Sequence, residues 1–153
     1  MLRVLGPGDF FGELSVISPA PRNATLTAIG AVETLSLHRN QIDQLRSEHT
    51  QVDRLLLEAA VVQIRRLSTQ LLDALYVPVP KRVLRRVAEV AALFADGGVN
   101  DIPLTQDDIA DLAGTSRPTA NRVLRDAQAA GLLEIRRGHI SVIDAVGLAK
   151  QGR

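Results

Sequence analysis

"TQDDIADLAGTSRPTANRVLRDAQAAGLL" (residues 105–133) decides the fold of the second half of this 153-residue chain. Thr105 stands where a helix would be capped, and Asp108, three residues on, completes a loose capping box. Asp107 and Asp108 suit the positive end of that helix's dipole. Ala110 is small, as a residue must be where two helices cross closely. Gly114 follows where a tight turn between helices requires a positive φ. Ser116 then caps a second helix. Ala120, Val123 and Leu124 form its apolar face, and Arg117, Thr119, Asn121, Arg122 and Arg125 stay on or near the outer face. A helix with arginines free near its N-terminus can enter a major groove, where arginine pairs bidentately with guanine. A three-helix packing module with merely solvated arginines would share the helix, glycine turn and helix. The serine cap, the basic outer face and the next segment argue against it.

That next segment, "LLEIRRGHISVID" (132–144), predicts a hairpin with Arg136, Arg137, Gly138 and His139 at its tip. A basic hairpin beside such a helix pair suits a wing that touches phosphate. Upstream, residues 81–95 predict a helix with Val83, Leu84, Val87, Val90, Ala91 and Phe94 inward, followed by a loop over 95–103. "VPVP" (77–80) precedes it as a stiff hinge. Before the hinge, residues 50–76 predict one long helix, uninterrupted by glycine or proline. Val52, Leu55, Leu56, Ala59, Val62, Ile64, Leu67, Leu71 and Leu75 give it a broad apolar stripe. A core helix of a compact domain is one reading. A helix that packs on its own copy is favoured, because little other chain remains to cover it.

The first quarter is different. "GPGD" (6–9) and "SPAPRN" (18–23) are turn chemistry. "ATLTAIG" (24–30) and "ETLSLH" (33–38) alternate apolar and polar residues, as half-buried strands do, and 38–49 predicts a short helix. Within "FFGELSVISPAPRNATLTA" (10–28), Gly12, Glu13 and Arg22 fall close together among apolar residues. A glycine lets a backbone N–H approach a phosphate, a carboxylate can accept from a ribose hydroxyl, and an arginine pairs with phosphate as a planar fork. Asn23 and Thr25 add neutral polar groups. The set suits a small cyclic phosphate ester of a nucleoside.

Composition sets the outer bounds. The net charge is +1, so bulk charge announces no nucleic-acid partner, although the second half is slightly the more basic. There is no cysteine, which excludes disulfides, thiolate catalysis and cysteine metal sites. His38, His49 and His139 have no metal-ligand spacing. No nucleophile–base pair or paired-carboxylate site is visible, so an enzyme is not expected. No apolar run reaches the length of a membrane span and no signal peptide opens the chain; a cytoplasmic protein is expected. With Phe10, Phe11, Phe94 and Tyr76 the only aromatics, Leu, Val, Ile and Ala must build the core.

At these residues a resemblance emerges. "FGELSVI…PRNAT" (11–25) resembles the phosphate-binding cassette of cyclic-nucleotide-binding domains. "TQDDIADLAGTSRPTANRVL" resembles the DNA-binding helices of the bacterial Crp/Fnr transcription regulators. The order of cassette, long helix, proline hinge and winged helix-turn-helix is also similar, over essentially the whole chain. The resemblance implies an α+β fold. It divides the chain into a partial cyclic-nucleotide-binding-like β-roll (1–49), a long dimerisation helix (50–76), a hinge (77–80) and a C-terminal winged helix-turn-helix (81–153). It implies that Gly12, Glu13, Arg22, Asn23 and Ser68 hold a cyclic nucleotide, cAMP-like, and that no other cofactor is required. Asn23 stands where some members place a serine. Where cAMP-binding members often have a threonine–serine pair on the dimer helix, this chain has Leu67 and Ser68. The resemblance assigns Thr105, Gln106, Ser116, Arg117, Thr119, Arg122, Arg125 and Arg137 to DNA. It implies a homodimer on an inverted repeat of double-stranded DNA, with RNA polymerase as a further partner and no membrane role.

Three departures stand out. Family members usually carry several more strands before the cassette, and here about nine residues precede it; a fragment, a late start or a minimal form is expected. Pro118 sits where many members have a glutamate that reads cytosine, so half-site specificity should differ. Gln106 replaces a basic, phosphate-contacting residue. Two other functions fit the same residues: a ligand-independent DNA-binding regulator whose cassette is only a scaffold, and a truncated, heterodimerising inhibitor of a full-length relative.

Overall fold

A computed structural model describes residues 3–18, 20–95 and 101–152. In chain order the elements are α1 (Leu14–Ile17), α2 (Arg39–Glu48), α3 (Gln51–Tyr76), α4 (Val79–Leu93), β1 (Asp101–Ile102), α5 (Gln106–Ala113), α6 (Arg117–Ala129), β2 (Leu133–Arg136), β3 (His139–Val142) and α7 (Ala145–Gln151). The fold is α+β. It divides into two compact units, Gly8–Gln70 and Met1–Pro7 with Leu71–Arg153.

In the second of these units, α4, α5, α6 and α7 pack with a three-stranded antiparallel sheet of order β1-β3-β2. Leu133 pairs with Val142 and Arg136 with His139, so β2 and β3 form the expected hairpin, joined by Arg137 and Gly138. Gly138 turns the chain at φ 77°. β1 adds Asp101 opposite Ser141 and Ile102 opposite Ile140, and Ser141 Oγ donates to Asp101 Oδ1 at 2.8 Å. β1 lies within the stretch read as a loop over 95–103. Residues 96–100 of that loop lie outside the described residues, as does Pro19 of the turn at 18–23.

The core follows the apolar pattern of the sequence. Val83, Leu84, Val87, Val90 and Ala91 bury one face of α4, while Phe94 is only half-buried. α5 packs against α6, and the two helices bury Ile109, Ala110 and Ala113 on one and Ala120, Val123, Leu124 and Ala127 on the other. Ile102, Leu104, Leu132, Leu133, Ile140, Val142 and Leu148 complete it. Every buried apolar residue among the described ones lies between Val83 and Leu148.

The proline segment is shorter than its sequence suggests. Pro78 caps α4 and Pro80 sits in its first turn, where a missing N–H costs nothing. Only Val77 and Pro78 separate α3 from α4. Arg82 bridges this break. Its Nη1 donates to the carbonyls of Ala74 and Val77, each at 3.1 Å; Nε donates to Ala113 O at 3.1 Å and Nη2 to Gly114 O at 3.2 Å. One side chain thus satisfies C-terminal carbonyls of both α3 and α5. Asp73, the buried acid of α3's last turn, accepts from Arg85 Nη1 at 2.8 Å and lies 3.7 Å from Arg86 Nη2. Arg85 Nε also donates to Gly152 O, at 3.1 Å.

In the unit Gly8–Gln70, α2 is the short helix expected from the sequence; Gln41 Oε1 accepts from the His38 N–H at 2.7 Å. The two alternating segments, 24–30 and 33–38, are drawn out and exposed but join no ladder among the described residues. Alternation marks a strand only where a neighbour takes up its N–H and C=O groups. These are positions that the resemblance gives to the partial β-roll. The cassette contains a helical turn, α1. α3 spans 26 residues, about 39 Å of helix. Most of its stripe is bare: Leu55, Val62, Ile64, Leu67, Leu71 and Leu75 are all more than half exposed, while Val52, Leu56 and Ala59 are half-buried.

Candidate nucleic-acid interface and effector cassette

The helix pair is built by its caps. Thr105 and Asp108 close a reciprocal box: Asp108 N donates to Thr105 Oγ1 at 3.2 Å, and Asp108 Oδ2 accepts from Thr105 N at 2.9 Å and from its hydroxyl at 2.7 Å. Gly114 ends α5 in the left-handed region, φ 59° and ψ 49°, and Thr115 N donates back to Ala110 O at 3.0 Å. Ser116 Oγ accepts from Thr119 N at 3.4 Å and meets Thr119 Oγ1 at 2.9 Å. Thr105, Ser116 and Thr119, all assigned to DNA by the sequence, therefore first hold the helices that would present the interface.

α6 buries Ala120, Val123, Leu124 and Ala127 and leaves Arg117, Arg122 and Arg125 exposed. Arg122 and Arg125 have no hydrogen-bond or ion-pair partner among the described residues; Arg117 Nη1 lies 3.2 Å from Asp107 Oδ2. Gln106, the first residue of α5, is half-buried. Asn121 is half-buried too, and its Oδ1 accepts no hydrogen bond. On the hairpin, Arg136 Nη2 is tied to Glu134 Oε2 at 2.8 Å, a hydrogen bond that raises its already high pKa. Arg137, beside it at the tip, is exposed and unpaired among the described residues. Arg117, Arg122, Arg125 and Arg137 give the winged-helix unit cations set on a rigid frame. That combination can position a protein on phosphates and read guanine edges.

The cassette brings Gly12 and Arg22 together. Gly12 has φ 86°, and a Cβ there would stand 2.6 Å from Arg22 Nη1. Arg22 Nη1 donates to Gly12 O at 3.2 Å and to Ser15 Oγ at 2.8 Å, and Ser15 Oγ donates to Gly12 O at 2.8 Å. Arg39 Nη2 donates to Ser15 O. Ser15 and Arg39 were not singled out by sequence. Their spacing from Arg22 carries no motif, and their role is to hold the arginine and the loop. Glu13 precedes α1 and is half-buried. Asn23 is exposed, as is Ser68 on α3, and no hydrogen bond among the described residues joins either to Arg22.

Comparison with known proteins agrees with both halves. Residues 65–151 match the Crp-like helix-turn-helix domain family, and residues 1–49 match the cyclic nucleotide-binding domain family. The "CRP-like cAMP-activated global transcriptional regulator" of Mycobacterium tuberculosis is 31% identical over 157 residues, covering 100% of this chain and 70% of the relative. The "Cyclic AMP receptor protein" of Thermus thermophilus is 30% identical over 147 residues, covering 94% of this chain and 65% of the relative. In fold, FixK2 from Bradyrhizobium japonicum superimposes with a TM-score of 0.66 at 20% identity, over 75% of this chain and 59% of that one. No helix among the described residues is long and apolar enough to cross a membrane. With a match to the cyclic nucleotide-binding domain family followed by a helix pair and a wing, the chain belongs to the Crp/Fnr family of DNA-binding transcription regulators.

Proposed function

We propose that the protein acts as a homodimer, paired through α3, that sets two α6 helices into successive major grooves of an inverted repeat about 34 Å apart. The observation that carries this reading is the outer face of α6, where Arg122 and Arg125 are exposed and unpaired above a buried apolar face. Pairing is supported by a second row on α3, which shares Ile64, Leu71 and Leu75 with the apolar stripe. Leu57, Val61, Ile64, Ser68, Leu71 and Leu75 follow one another at alternating spacings of four and three, the period of a two-helix seam. All six are exposed, and no described residue elsewhere buries them.

The effector is a cyclic nucleotide, held by Gly12, Glu13 and Arg22. Two relatives are named for cyclic AMP, and the positive φ of Gly12 keeps its backbone open beside the guanidinium. Arg22 has donors left on Nε and Nη2 for an anion. In this reading Ser68, on the seam, completes the site in the dimer. Ligand acts by favouring one arrangement of the winged domains over another. A second reading, DNA binding without a ligand, is favoured by the same arginine: its Nη1 is already taken by Gly12 O and Ser15 Oγ.

Selection of binding sites from a random duplex pool, with and without cyclic AMP, separates these readings. An inverted repeat enriched only with nucleotide supports the gated dimer. The same repeat in both pools supports the second reading. No enrichment in either removes both.

A further inference from the structure

We propose that Asp107 is a positioning residue for DNA recognition: it holds the guanidinium of Arg117 and so sets the discrimination at the base pair Arg117 reads. This rests on the reading of α6 as the DNA-reading helix. Asp107 is the second residue of α5 and Arg117 the first of α6. Their contact, Nη1 to Oδ2 at 3.2 Å, ties the starts of two different helices together. Both side chains are more than half exposed, so the pair adds little to stability. Its neighbour Asp108 is committed to the Thr105 cap.

Asp107 shares the face of Arg117, so it faces the DNA wherever Arg117 does. A carboxylate there opposes a polyanion and lowers general affinity. What it offers in return is orientation. A guanidinium has five N–H donors in a fixed plane, and a carboxylate on Nη1 leaves the Nε–Nη2 edge for the two acceptors of guanine. An unheld arginine at a helix start serves phosphate as readily as a base, and ordering it on binding costs affinity. Arg122 and Arg125 lack such a support among the described residues, which suits contacts to phosphate. Pro118 follows Arg117 and brings no hydrogen-bonding group to a base. Thr119 Oγ1 is engaged by Ser116 Oγ at 2.9 Å, so the first turn of α6 relies on Arg117 for its specificity.

The test is quantitative site selection with the full chain and the variants Asp107→Ala, Asp107→Glu, Arg117→Ala and Asp107→Ala/Arg117→Ala. The base pair read by Arg117 is the one whose preference disappears in Arg117→Ala. Asp107→Ala should lower discrimination there by about fivefold, within the range of one bidentate contact, while binding to random duplex strengthens. Other positions should be unchanged, Asp107→Glu should restore part of the preference, and the double variant should match Arg117→Ala. A fold defect would weaken all positions together and cannot imitate this pattern. Unchanged discrimination in Asp107→Ala, or a loss that persists in the Arg117→Ala background, overturns the proposal and leaves the reading of α6 intact. A native chain that selects no sequence overturns both.

Discussion

Arg22 and Leu124 represent two kinds of residue in this protein, one held by polar contacts at an exposed loop and one enclosed by the core. Arg22 is fastened by Gly12 O and Ser15 Oγ but contributes to no apolar packing. Arg22→Ala should therefore abolish any response of DNA binding to cyclic nucleotide while leaving basal binding and the melting temperature of the winged-helix unit unchanged. Fluorescence anisotropy on a selected operator, with and without nucleotide, checks it; a persisting response would move the site elsewhere. Leu124, on the buried face of α6, is 0% exposed. Leu124→Ala should cost about 2–5 kcal/mol in denaturant unfolding, because the surrounding helices cannot close fully over the space. The apolar pattern names Leu124 directly. Ser15 and Arg39 were not legible in the same way, since a serine that supports an arginine through one hydroxyl has no spacing rule.

Elements were legible in proportion to their length and caps. α5 and α6 begin and end where Thr105, Gly114 and Ser116 require. β2 and β3 follow from the glycine turn. β1 has two residues, too few to alternate. α7 has seven and a glycine within it; its one signal is Asp144, whose Oδ1 accepts from Gly147 N at 2.8 Å. The segments 24–30 and 33–38 have the right pattern and no ladder among the described residues, because pairing depends on a neighbour and not on the segment itself. Their amides should exchange with solvent hydrogen near unprotected rates, as followed by NMR. On α3, Ile64→Asp places a charge in the middle of the exposed stripe. The proposed dimer should then dissociate in sedimentation velocity and lose affinity for an inverted repeat; an unchanged sedimentation coefficient would argue against pairing through this face. At the wing, Arg137→Ala should weaken binding to all sequences alike. It should also reduce the slope of log affinity against log salt by about one per wing, measured by titration at several salt concentrations.

At the scale of the molecule, the buried apolar core belongs to one compact unit, and that unit includes the last turn and a half of α3. Arg82 and the Asp73–Arg85 pair fasten that turn to α4 and α5. Arg82→Met keeps the aliphatic stem but removes four hydrogen bonds; about 1–3 kcal/mol of stability should be lost, with the Val77 and Thr115 amides losing protection together. The composition of "VPVP" could not reveal the hold of Arg82, since each of its four acceptors is a backbone carbonyl. The fastening has a consequence for where the gene can be cut. A fragment begun at Val79 keeps the buried apolar core but takes from Arg82 the carbonyls of Ala74 and Val77, and from Arg85 the carboxylate of Asp73. A fragment begun at Leu71 keeps all three acceptors and should melt at the higher temperature.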